Sequence, residues 1–543
     1  MQLKGLIIFN VIFLGSVFLT SEKFVNETNT PKFYFLVISV IIFTGAAALT
    51  KNTIRIEGIR SLLVFWGINV ICFFQACYGL VQFVGWLPSN NLSFPITGSF
   101  DNPAGFAAVL SLGFPIGLYL FSKAKGIEKY LAGAILAIIS VAVILSGSRT
   151  GIIAIVISSG IFFAFNHNVL IKFRQLHYHK LLLGLIMICL AIGFFTLYYQ
   201  KKDSANGRLL IWTVSSEIIR DKPVFGHGYG AFQAIYMDYQ AEYFRNNPNS
   251  KYELLADNVK HPFNEFIKVA VEYGLVGLII VFSFLLLLFW NTVKLESVNK
   301  RLVLSGLIAL VVLAFFSYPL QYVSVWVFLA FYVSILMPNK EYKIRNTIIS
   351  IISRGAIVIV SLFTLLFFYQ QLRIEMKWKT IAVNSLRGNT QKMLPEYEKL
   401  YGTMLRRNPL FLYNYGAELY VARQFDRSIE IMKECKRKFN DYDLQLVLAE
   451  NYYQIGDFQK AIQIYEQASY MIPCRFIPLY KWFEIYEEKY QTRDALRLAL
   501  EICEKSVKVE STTVSYIQLK ASTYINKVSE CPKPDSNIIE IIY

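Results

Sequence analysis

The chain has 543 residues, 55% of them hydrophobic and 17% charged, with 54 Lys and Arg against 38 Asp and Glu. Ordinary soluble proteins carry about 25% charge, whereas apolar runs near the length of a bilayer core, roughly 17–20 residues, recur here through the first 370 positions. A wholly soluble enzyme, a disordered chain and a fibrous repeat are thereby excluded. The net charge of +16 is not a nucleic-acid signal, because residues 370–543 hold 25 Lys and Arg against 22 Asp and Glu. The excess sits earlier, in short loops between apolar runs, rather than on one exposed face.

Eleven spans are predicted, at 4–20, 33–49, 61–80, 104–121, 130–146, 150–166, 181–199, 263–290, 302–317, 320–337 and 355–370. The first has Lys4 before its apolar run and no small-residue cleavage site, which predicts a retained helix rather than a signal peptide. Loop basicity sets the orientation. With a cytoplasmic N-terminus, the cytoplasmic loops carry Lys51, Arg55 and Arg60, then Lys123, Lys125 and Lys129, then Lys172, Arg174 and Lys180, and further cations at 294–301 and 340–354. Of the opposite short loops, 81–103 carries only Asp101 and 317–319 no charge. An odd span count places the 200–262 loop and the C-terminus outside. Cys72, Cys77 and Cys189 lie in apolar runs, and the spacing of Cys435, Cys474, Cys503 and Cys531 leaves pairing open.

Beyond residue 370 the chain turns polar, Tyr-rich and repetitive. Phe425, Phe458 and Thr492 recur at spacings of 33 and 34, as do Ser428, Ala461 and Ala495, with Gly456 between helical stretches. This resembles the tetratricopeptide repeat, and about three copies suffice for a stacked solenoid. The expected fold is all-α. A polytopic bundle of about 11 spans over 1–370, including the external loop 200–262, precedes a helical-repeat solenoid over 371–543.

Four outward places hold candidate chemistry. Ser146-Gly-Ser-Arg149-Thr-Gly151 puts a guanidinium, a planar donor fork suited to phosphate, in a short turn; snorkelling to the interface or capping of helix carbonyls is the structural alternative. Gly207-Arg208-Leu-Leu-Ile-Trp212 opens a helix in the large loop. Pro223-Val-Phe-Gly226-His227-Gly228-Tyr-Gly230 looks like a phosphate cradle, but it follows no strand and begins no βαβ unit, so a tight turn is expected. Lys260-His261-Pro-Phe-Asn264-Glu265-Phe precedes the eighth span with a His, the side chain suited to moving protons near neutral pH. His167, His177 and His179 lie in a basic loop without matching carboxylates, so no metal site is expected.

In order and sidedness these places, with Gly98-Ser-Phe-Asp101-Asn102-Pro103 earlier and Glu272-Tyr-Gly-Leu-Val-Gly277 later, resemble the O-antigen ligase and polymerase superfamily over roughly 60–340. The resemblance implies a glycosyltransferase of the bacterial inner membrane, with its repeat domain in the periplasm and no cofactor or metal. Its donor would be an undecaprenyl-diphosphate-linked glycan; its acceptor a lipid, a glycan or a protein. Arg149 and Arg208 would hold the diphosphate, Asn102, Asn264 and Trp212 would line the substrate site, and His261 would be the general base. Many members of that superfamily place the His directly before the Asn, where this chain has Phe263, so Glu265 is the alternative base. A lipid-linked-glycan transporter would instead need ionisable groups near mid-membrane, and a scaffold would leave the three cationic residues unrelated. A partner protein for the repeat domain is expected; a nucleic acid is not.

Overall fold

The computed structural model describes residues 3–50, 53–56, 61–166, 202–337, 340–343 and 347–530, with single positions at 178, 184 and 199. The expected span at 181–199 lies outside the described residues apart from two single positions, as do Cys189, Cys531, His167, His177, His179 and the loop cations between 167 and 180. The chain divides into two compact units. The first comprises Met1–Leu197, Phe263–Phe266 and Leu278–Thr380; the second comprises Tyr198–Pro262, Ile267–Gly277 and Ile381–Tyr543. Residues 198–262, which the sequence groups with the spans, thus cluster with the C-terminal helices.

The first unit contains α1 (Leu3–Phe18), α2 (Asn29–Thr50), β1 (Thr53–Ile56), α3 (Leu62–Phe83), α4 (Pro103–Lys123), α5 (Gly126–Leu145) and α6 (Arg149–Ala164). The second opens with α7 (Lys202–Asp221) and α8 (Ala231–Asn246). There follow α9 (Glu265–Val293), which supplies residues to both units, then α10 (Ser297–Phe316), α11 (Val323–Leu336), β2 (Lys340–Lys343) and α12 (Thr347–Asn384).

Seven helices among the described residues are long and apolar enough to cross a membrane. The expected spans at α1, α6 and α11 are shorter helices of 16, 16 and 14 residues. For α11 the cause is local: Pro319 starts a one-turn 3-10 helix, and regular α-helix begins only at Val323. Among the described residues one departure from an all-helical chain appears, the antiparallel pairing of β1 with β2, Thr53 opposite Lys343. The β-branched Thr53, Ile54 and Ile56 favour extended backbone.

At the centre of the first unit stands α4. Asn102 caps it, its side chain accepting from Ala104 N at 2.9 Å, and Pro103 occupies the first helical position, where its missing N–H costs nothing. Sixteen of its 21 residues are buried, so it is a helix surrounded by others rather than an amphipathic surface helix. By contrast α9 exposes Ile280, Leu286 and Trp290, and α12 exposes Ile352, Val360 and Phe363; such continuous apolar exposure is what lipid covers. The helices α6 and α10 pack antiparallel. Thr150 Oγ1 donates to Phe316 O at 3.2 Å near one end, and the Arg301 guanidinium lies 5.0 Å from the Phe162 ring centroid near the other.

In the second unit α7 buries Leu210, Ile211, Val214 and Ile218 along one stripe. The C-terminal helices are α13 (Thr390–Tyr401), α14 (Pro409–Val421), α15 (Phe425–Lys436), α16 (Tyr442–Gln454), α17 (Phe458–Met471), α18 (Ile477–Glu488), α19 (Thr492–Glu504) and α20 (Thr512–Glu530), and from α14 onward each packs on the next. Three turns among them are alike. Arg423, Gly456 and Tyr490 all take left-handed φ, of 60°, 84° and 58°. The next residue's N–H then closes a 2.9 Å bond to a carbonyl five residues back: Gln424 to Leu419, Asp457 to Tyr452, Gln491 to Tyr486. This is a Schellman-type helix end, repeated at the sequence period. Phe425, Phe458 and Thr492 each open the following helix, and Ser428, Ala461 and Ala495 are fully buried inside it.

The loop helices are tied to this array. Gln240 Nε2 donates to Met471 O at 2.6 Å, Gln467 Nε2 to Asp238 Oδ1 at 2.6 Å, and Tyr442 N to Asn258 Oδ1 at 3.0 Å.

Candidate functional site

The expected site residues divide between the units: Asn102, Arg149, Asn264 and Glu265 belong to the first, Arg208, Trp212 and His261 to the second.

In the turn between α5 and α6, structural tasks account for most of the motif. Gly147 takes φ 66°, which an L-residue resists. Ser148 caps α6, accepting from Gly151 N at 3.3 Å, and Thr150 bonds Phe316 O. Gly151 lets α6 approach α4: a Cβ there would lie 2.7 Å from the Ala107 Cβ, and Ser111 Oγ donates to Gly151 O at 3.2 Å. Arg149 is the first residue of α6 and half-buried.

The loop between α3 and α4 is held by amide side chains. Gln82 Oε1 accepts from Thr97 N and Gly98 N at 3.1 and 2.7 Å, and Asn90 Nδ2 donates to Gly98 O and Phe100 O, both at 3.0 Å. Beneath it, Lys32 is 1% exposed, donates to Ser99 O at 2.6 Å and lies 3.8 Å from the Phe100 ring centroid. Asp101 Oδ1 is buried without a hydrogen-bond partner among the described residues. Burial raises the Asp101 carboxyl above its ordinary value, opposed by its backbone N–H and by Lys32. Asn102, expected to line the substrate site, commits its Oδ1 to the α4 cap. Lys32 escaped the sequence reading; a lone Lys at the start of an apolar run carries no sign of burial.

In Lys260-His261-Pro-Phe-Asn264-Glu265, Asn264 Oδ1 accepts from Phe266 N at 2.9 Å and so caps α9. Glu265 Oε1 accepts from Leu320 N at 3.0 Å, and Glu265 is only 7% exposed. Phe263 takes φ 53°, a left-handed conformation unusual for a bulky residue, and its ring meets Tyr318 at 5.3 Å.

In the second unit, Trp212 Nε1 donates to Pro262 O at 2.9 Å. Arg208 and Trp212 stand four residues apart on α7, hence on one face, so the G-R-x-x-x-W motif is joined to the segment carrying His261. Upstream, Gln233 Nε2 donates to Lys260 O at 3.3 Å and Asn440 N to Gln233 O at 2.9 Å, which holds the same segment at a second point. Burial, reinforced by Lys268 and Lys260, holds the His261 imidazole down to about 3 from its ordinary 6.5. It is therefore neutral at neutral pH. A His depressed on folding stabilises the fold fully above its unfolded value of 6.5, and that stability drains away as pH falls towards 3. Thermal unfolding between pH 6.5 and 4 is expected to show a falling Tm for the natural chain and a flatter profile for His261→Gln; parallel profiles would show that His261 is not buried neutral.

The glycines of 223–230 meet another backbone rather than forming an open cradle. His227 N and Gly228 N donate to Val271 O and Glu272 O, both at 2.9 Å, while Leu275 N and Val276 N donate to Pro223 O and Val224 O at 2.9 and 3.2 Å. Gly226, at φ 68°, and Gly274, at φ 61° inside α9, lie back to back: a Cβ on either would come within 2.5 Å of the other's strand of backbone. The tight turn is present. Nothing in the motif's residues pointed to the Glu272-Tyr-Gly274 stretch as its partner.

No match was found among curated proteins. A protein-family model described as O-antigen ligase matches residues 134–282, a stretch that contains Arg149, Arg208, Trp212, His261, Asn264 and Glu265. Its apolar helices make this a multi-pass membrane protein, and the match supports placing it with the O-antigen ligase superfamily, as a glycosyltransferase-like enzyme of ligase or polymerase type.

Proposed function

We propose that this protein transfers a glycan from an undecaprenyl-diphosphate carrier to an acceptor at the periplasmic face of the bacterial inner membrane. The observation that carries the reading is the family match, which spans every candidate group except Asn102. Loop charge supports the orientation, with the N-terminus cytoplasmic and the C-terminal unit periplasmic. The three like turns at Arg423, Gly456 and Tyr490 support a tetratricopeptide-like solenoid, a surface for a periplasmic protein partner.

Chemically, breaking the bond between the anomeric carbon and the carrier diphosphate leaves negative charge on phosphate oxygen. Arg149 and Arg208 answer that charge, most strongly as it develops. The acceptor hydroxyl must lose its proton as its oxygen attacks the anomeric carbon. His261 takes that proton: a neutral imidazole is a base, and the arriving diphosphate raises its affinity for the proton. Trp212 positions it through Pro262. Glu265 is the weaker candidate, because Leu320 N occupies one of its oxygens.

In membranes supplied with the carrier-linked glycan and acceptor, His261→Ala is expected to lose at least about 100-fold in transfer, with Glu265→Gln retaining activity if it still inserts. The reverse pattern would transfer the base role to Glu265, and full activity of both variants would remove this segment from the chemistry.

A further inference from the structure

Arg301 is the least explained cation among the described residues of the first unit. It lies in the second turn of α10, 7% exposed, with Nε and Nη1 buried and without a hydrogen-bond partner among the described residues. One turn further along the same face is Ser305, fully buried, whose Oγ also has no partner. The Phe162 ring covers the guanidinium from α6, at 5.0 Å.

A buried guanidinium without a counter-charge is costly, and one inside an apolar bundle marks a site where an anion is bound. The sequence around it supplies little to neutralise it. Residues 165–202 contain no Asp or Glu, and Glu296 is the only acidic residue from 291 to 340, where Lys294 and Lys300 add positive charge. Ring contact with Phe162 offsets part of the cost but satisfies no N–H donor. The anion must therefore bring acceptor oxygens. A tetrahedral phosphate suits a forked guanidinium and a hydroxyl together.

We infer that Arg301 and Ser305 form a phosphate-binding site for the headgroup of an anionic membrane lipid. It is separate from the transfer chemistry, because Arg149 stands at the opposite end of the antiparallel α6–α10 pair, beside the Thr150–Phe316 bond. A lipid rather than a dissolved ion is the fitting source, since Arg301 is the fifth residue of an apolar helix, at headgroup depth in the reading above, with Ser305 one turn further in. Occupancy locks α6 to α10 at that end.

The test uses the full chain in nanodiscs of phosphatidylcholine alone, of phosphatidylcholine with phosphatidylglycerol, and of phosphatidylcholine with millimolar inorganic phosphate, read by Tm and by native mass spectrometry of retained lipid. Phosphatidylglycerol is expected to raise the Tm and to stay bound. Arg301→Met is expected to lose both effects, and Arg301→Lys, a point charge without the fork, to keep only part. An unchanged Tm in phosphatidylglycerol, or an Arg301→Met variant with the same lipid-dependent rise, overturns the site. Equal protection by inorganic phosphate overturns the lipid as its source. Should Arg301→Met fail to insert, the lipid comparison on the natural chain decides. These readouts involve no glycan, so they stand or fall apart from the transfer reaction.

Discussion

Arg208→Ala and Arg149→Ala are each expected to lower glycan transfer by about 100- to 1,000-fold, the usual effect of removing one donor aimed at developing charge. Membrane insertion should stay intact. Other residues carry much of the local fold. In the 146–151 turn the cap, the left-handed glycine, the bond to Phe316 and the close approach to α4 belong to Ser148, Gly147, Thr150 and Gly151. On α7 the buried stripe belongs to Leu210, Ile211, Val214 and Ile218, while Arg208 is only half-buried. Lys in place of either Arg should restore part of the activity, since it keeps the charge and loses the fork. Quantifying product against the amount of inserted protein checks both claims. Normal transfer by both alanine variants would dissolve the diphosphate assignment.

The second large effect is on stability. Gly274→Ala should destabilise the second unit by about 3 kcal/mol or more, because it combines two named penalties. At φ 61° and ψ −154° the backbone occupies a region that is essentially glycine's alone. An added Cβ would also lie 2.4 Å from Val224 O and 2.7 Å from Gly226 N. Gly226→Ala meets the same backbone pair from the other side and should cost a similar amount. Because the two glycines face one contact, the double variant should cost less than the sum of the singles. Thermal unfolding of the three variants measures this, and additive losses would show that the glycines act separately.

The sequence was most readable where a rule is local. Apolar runs marked the helices, and the period of 33 to 34 shows up as three equivalent turns. Arg423 and Tyr490 stand where the middle copy has Gly456. The turn demands a backbone conformation, which Gly456 adopts freely and the other two adopt under strain. Long-range partnership was the unreadable part. Nothing at Pro223 announces that its carbonyl will accept from Leu275, and nothing at Trp212 announces Pro262. Likewise Lys32 and Arg301 read as ordinary flanking cations, since hydropathy counts a charge without registering what covers it. The candidate site was legible as residue types in order; the caps made by Asn102 and Asn264 were not separable from substrate contacts on sequence alone.

The most direct measurement of the central claim is a glycan profile of cells with and without this protein, separating carrier-linked, lipid-linked and protein-linked pools. Accumulation of carrier-linked glycan at the outer face, with loss of one acceptor pool, is the expected result, and the lost pool names the acceptor. Carrier-linked glycan that fails to reach the outer face, or pools that do not change, would contradict a transferase.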